Sequence, residues 1–127
     1  WQHLELAESG ESQMISLAYL YIFLQSNILE IPIYWLCFRK NLSFKSTAIS
    51  VTAINSLTHP IVFFVFMNFH QSYLQNILLA EAFAISTEAL FFSRVLKLSW
   101  PSAIFASVLA NLISWQLAPM LTYLIAK

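Results

Sequence analysis

Charge is what this sequence lacks most: 9% of its 127 residues are charged, against roughly 25% in a soluble globular domain. Water is therefore not its main solvent, since 59% of the residues are hydrophobic. A single glycine and four prolines exclude a turn-rich β architecture, because hairpins and barrels need frequent turn residues and alternating patterns. So apolar a composition also excludes disorder. With Cys37 as the one cysteine, no intramolecular disulfide is possible and the redox compartment is unreadable; beside a span end, Cys37 reads as a small apolar filler. The formal net charge of zero offers no basic stripe for nucleic acid and no acidic face for cationic partners. What remains is helix in lipid. A span needs about 20 residues at 1.5 Å rise, so the chain accommodates four spans with short loops. The fold expected is all-α, a four-helix transmembrane bundle forming one domain.

Residues 1–13 differ in kind from the rest: they are polar, carry Glu5, Glu8 and Glu11, and stop where Met14 opens the first apolar run. They read either as an appended or processed tail, to be kept out of fold reasoning, or as an arm lying on the membrane surface. Acidic early residues and a long first apolar run are unlike a secretory signal peptide. From Met14 the membrane domain, 14–127, shows apolar segments at about 15–37, 47–68, 74–93 and 102–124. Its connections are short, so consecutive helices should be antiparallel neighbours. Arg39, Lys40 and Lys45 fall in the first connection, Arg94 and Lys97 in the third, and only His70 in the second. The positive-inside rule then makes the first and third connections cytoplasmic and both termini non-cytoplasmic, with Lys127 a mildly contrary charge. Trp35, Tyr73, Trp100 and Tyr123 sit near span ends as interface anchors do, whereas Trp115 lies deeper. The aromatic run in 61–69 reads as lipid-facing surface and interhelical packing.

After Met14 the only acidic residues are Glu30, Glu81 and Glu88, and all three fall inside apolar spans. An ionised carboxylate in hydrocarbon costs several kcal/mol by some measures, so each needs a partner, a cavity or a neighbouring helix. Candidates recur at helical spacing: Asn27, Glu30 and Tyr34 on the first helix, Thr52, Asn55 and His59 on the second, Glu81, Ala84 and Glu88 on the third, and Ser107, Asn111 and Ser114 on the fourth. The fourth also carries Ala103, Ser107, Ala110, Ser114 and Ala118, small residues that let helices approach closely. Counted from the cytoplasmic boundary, Glu88 lies at about 8 Å, Glu30 at about 10 Å, Asn55 at about 12 Å, Asn111 at about 14 Å and His59 at about 18 Å, with Glu81 nearer the outside. A polar layer of Glu30, Asn55, His59, Glu88 and Asn111 follows, with Asn27, Tyr34, Thr58, Glu81 and Ser114 as secondary members. Pro32 and Pro60 leave the carbonyls of Ile28 and Ser56 without their usual donors and favour kinks beside Glu30 and His59. Such breaks beside ionisable residues build binding sites in transporters.

Other readings of the same residues stand beside this one. Glu30 with Asn55 or His59, and Glu88 with Asn111, could be hydrogen-bonded pairs that only fix helix register. Glu30, His59 and Glu88 together suit a divalent metal such as zinc, manganese or iron, although no HExxH-type motif accompanies them. Ser56 three residues before His59 has no glycine-rich elbow to make it a nucleophile.

The string Glu30-Ile31-Pro32, then Asn55-Ser56-Leu57-Thr58-His59-Pro60, then Glu81 and Glu88, then Asn111 with Ser114, resembles a pattern in small uncharacterised bacterial integral membrane proteins. The resemblance covers Met14 to the end, is most specific in the Asn-x-x-Thr-His-Pro string, and implies an intact small protein of the bacterial inner membrane. Three functions are open: a transporter or channel for a cation, proton or small polar solute; an intramembrane enzyme using Glu30 and Glu88 as base and acid, or with His59 as metal ligands; and a non-catalytic subunit of a larger membrane complex. The bilayer is the first partner. Because four helices enclose little volume, a second copy or another membrane protein is expected as well.

Overall fold

A computed structural model describes residues 2–66 and 72–125. Its elements are α1 (Gln2–Phe38), α2 (Phe44–Phe64), α3 (Tyr73–Arg94) and α4 (Trp100–Ile125), with no strand among the described residues. Helix α1 runs through the polar segment 2–13 without a break, as its good helix formers Leu, Glu, Ala and Gln allow. Residues 67–71, His70 among them, lie outside the described residues.

Three helices start on serine. The Ser43 hydroxyl accepts from the Ser46 amide at 3.1 Å, and Ser72 and Gln75 form a reciprocal capping box. The Ala103 amide makes the first turn of α4 on the Ser99 carbonyl at 2.9 Å. Each serine stands where the first amides of a helix lack partners. Pro101 sits in the first turn of α4, where its missing N–H costs nothing. Lys97, between α3 and α4, adopts φ 54°, a left-handed conformation that lets the chain reverse and is unusual for a side chain with a Cβ.

The helices form a ring. Each packs on its sequence neighbours and α4 closes the ring on α1, while α1 and α3, on a diagonal, meet across the interior through long side chains such as Tyr34 and Phe92. The seam between α2 and α3 is the least extensive of the four. At the end of the ring that carries the basic connections, Tyr34, Phe38 and Phe92 fill the interior, with ring centroids 4.5 Å apart for Tyr34–Phe92 and 5.1 Å for Phe38–Phe92. Ala103, Ala106 and Ala110 of α4 are fully buried against them. In lipid the hydrophobic effect does not drive helices together, so close packing and interhelical hydrogen bonds must. The small face of α4 supplies the first. Large apolar side chains point outward on every helix, Phe105 at 63% exposure among them. Tyr19 meets Phe63 and Phe64, each at 5.5 Å, and Phe66 meets Phe83 at 5.3 Å, so the aromatic run at the end of α2 ties that end to α1 and α3. All four helices, from Met14 onward, are long and apolar enough to cross a membrane. The protein is a multi-pass integral membrane protein with an all-α four-helix bundle. Pro32, Pro60 and Pro119 lie inside α1, α2 and α4.

Candidate functional site

Two carboxylates organise the interior. Glu88 of α3 is 1% exposed, and its Oε2 accepts from the Tyr34 hydroxyl of α1 and from Asn111 Nδ2 of α4, both at 2.5 Å. The second Asn111 amide proton goes to the Ser107 carbonyl at 2.9 Å. Tyr34 Oη also lies 3.0 Å from Ser107 Oγ. Having spent its one proton on Glu88, Tyr34 accepts there from the serine. Glu30 of α1 accepts from Asn55 Nδ2 of α2 at 2.8 Å, and Ser114 of α4 donates its hydroxyl to the Asn111 carbonyl at 3.3 Å. These bonds join all four helices in one layer. Glu30, Glu81 and Glu88 stand near enough to repel one another.

Above this layer the ring opens into a cavity of about 360 Å³. Glu30, Glu88, Asn111 and Ser114 line its deep end, while Ile22, Val62, Tyr73 and Thr122 lie toward the end away from the basic connections. Past the deep end, Tyr34, Phe38 and Phe92 close the way. No lysine or arginine is among the described lining residues. The mouth is tied by Gln25, whose Nε2 donates to the Ala118 carbonyl at 2.7 Å, one residue before Pro119.

The residues singled out in the sequence fare differently. Glu30, Asn55, Glu88, Asn111, Tyr34 and Ser114 share the polar layer. Glu81, Thr58 and His59 line the cavity. His59 sets its ring edge-on to Phe23 at 5.7 Å and makes no hydrogen bond to Glu30; Thr58 bonds its own helix at the Ile54 carbonyl. Asn27 does not join the layer: its Nδ2 returns to the Phe23 carbonyl of its own turn at 2.8 Å. The metal set of Glu30, His59 and Glu88 is corrected by the geometry, because among the described residues no three His, Cys, Asp or Glu side chains gather closely enough to hold an ion. His59 is turned to an aromatic neighbour, and the carboxylates are held by amides and a phenol. Gln25, on the cavity wall, escaped the sequence reading although the signal was there: an amide in an apolar run needs a partner as a carboxylate does. In comparisons with known proteins, no family model, no curated protein and no solved structure matches this chain.

Proposed function

We propose that this membrane protein binds a cation inside its bundle and carries it across the bilayer, as a small transporter. One observation carries the reading: three carboxylates share the wall of a single cavity that has no lysine or arginine among its described lining residues. Carboxylates inside a membrane mark ion or substrate pathways, because their cost must be offset by what they bind. Amides and hydroxyls offset it in part, and a cation between the carboxylates relieves the repulsion that remains. The cavity is open at one end and closed at the other, as alternating access requires of one state. By the positive-inside rule the mouth faces away from the cytoplasm, with Arg39, Lys40, Lys45, Arg94 and Lys97 on the cytoplasmic side of what we take to be a bacterial inner membrane. Four helices of one chain supply the wall, so a second copy would add a surface rather than complete the site.

A register-fixing role is best supported at Glu88, whose Oε2 takes donors from two other helices. Glu30 and Glu88 therefore divide the test. In vesicles containing the purified protein, flux of at least one among protons, sodium, and small mono- and diammonium ions should exceed that in empty vesicles. Glu30→Gln should abolish that flux while leaving thermal unfolding in detergent near that of the wild type. Wild-type flux in the Gln variant, or no flux of any of these cations, would sink the transporter reading.

A further inference from the structure

We infer that the ligand is an organic diammonium ion, with one ammonium seated at the deep end on Glu30 and Glu88, the second on Glu81, and its aliphatic chain lying along Ala84 and Trp115. This rests on the reading of the cavity as a cation site and names the class of cation.

The first argument is against a bare ion. Hard cations take about six or more oxygens at 2.0–2.6 Å, and no three His, Cys, Asp or Glu side chains converge among the described residues. The facing oxygens are also partly engaged, Glu88 Oε2 by Tyr34 and Asn111 and Glu30 Oε2 by Asn55. An ammonium asks for less, since its three N–H donors are satisfied by acceptors on one or two sides. The second argument is size. A cavity of about 360 Å³ falls within the roughly 300–1,000 Å³ of small-molecule pockets. A naked ion would leave most of it to water held against Ile22, Val62, Trp115 and Pro119.

The third argument distinguishes two charges from one. Glu81 and Glu88 are seven residues apart on α3, which places them on one face and about 10 Å apart along the axis. Both line the cavity, and so does Ala84 between them, whose small side chain leaves a channel along the helix. Glu81 Oε2 is covered and has no hydrogen-bond partner. A carboxylate oxygen covered yet unbonded is a costly arrangement for the protein alone. It is the arrangement expected where a donor arrives with the ligand. Trp115 also lines the cavity, an aromatic wall of the kind that suits an aliphatic ammonium.

Binding to the whole purified chain in detergent at neutral pH, by titration calorimetry, tests this with cadaverine, pentylamine, ethylenediamine and sodium chloride. Cadaverine should bind about tenfold or more tighter than pentylamine, because it makes a second charge contact. Ethylenediamine, too short to bridge, should bind as a monoamine does, and sodium should not compete. Glu81→Gln removes no bond the fold uses. It should weaken cadaverine to the level of pentylamine and leave pentylamine unchanged. Equal binding of cadaverine and pentylamine, or a Glu81→Gln variant that weakens both alike, would overturn the diammonium assignment and leave a single cation site. Glu30-dependent binding of sodium with neither amine competing would overturn the organic class but keep the cation reading. Failure of every cation to bind would remove both.

Discussion

Tyr34 is the donor on which the deep end of the bundle turns. Its ring fills the aromatic layer while its hydroxyl donates to Glu88 and accepts a hydrogen bond from Ser107, so one side chain serves packing and polar satisfaction together. Removal of the hydroxyl in Tyr34→Phe leaves the ring in place and takes one of two donors from a buried carboxylate, which should cost about 1–3 kcal/mol. Reversible unfolding in mixed micelles measures it. A variant within about 0.5 kcal/mol of the wild type would mean that Asn111 alone holds Glu88. The polar layer was legible in the sequence at Glu30, Asn55, Glu88 and Asn111, because polar groups are scarce in a lipid span and each must find company. Tyr34 was legible only as a face-mate. A tyrosine is equally at home at a membrane interface, and nothing in its neighbours along the chain says that its hydroxyl points inward. His59 misled for a related reason: imidazole is both a polar ligand and an aromatic ring, and here Phe23 claims the ring.

On the scale of the helix, α4 shows how much a stripe of small residues decides. Ser107 is fully buried and Phe105, two positions earlier, is 63% exposed, so the same added volume should have opposite consequences at the two sites. Ser107→Leu should destabilise by about 1–3 kcal/mol through overpacking and loss of the Tyr34 contact, while the larger side chain of Phe105→Trp should stay near neutral, as lipid accommodates it. Thermal unfolding of both variants decides it, and equal tolerance would mean that the stripe is not a contact face. Helix number and order could be read from hydropathy alone. The starts of α2, α3 and α4 could not be read to the residue, because hydropathy finds where lipid begins and the caps at Ser43 and Ser72, like Ser99 before α4, lie outside that boundary. The extension of α1 back to Gln2 escaped for the converse reason. A polar helix leaves no trace in a hydropathy profile.

The orientation of the whole molecule gives a prediction of its own. In a Cys37→Ser background, Ser72→Cys should react with an impermeant thiol reagent added to intact cells, and Lys40→Cys only after the membrane is opened. Labelling of residue 40 in intact cells would invert the topology and with it the side on which the cavity opens. Depth from sequence placed the polar residues in one layer, since rise per residue is fixed. That the layer floors a cavity was not legible. A cavity depends on how far helices stand apart, and that distance is set by contacts between residues remote in the chain, such as Gln25 with Ala118 and Tyr34 with Glu88. The slim seam between α2 and α3 also bears on how the bundle deforms. A tube slit along one line keeps its resistance to bending and loses much of its resistance to torsion, so the soft deformation of this ring is a twist that slides α2 past α3. Thr58 and His59 of α2 and Ala80 and Glu81 of α3 all line the cavity, so such a twist would shift one part of its wall against another.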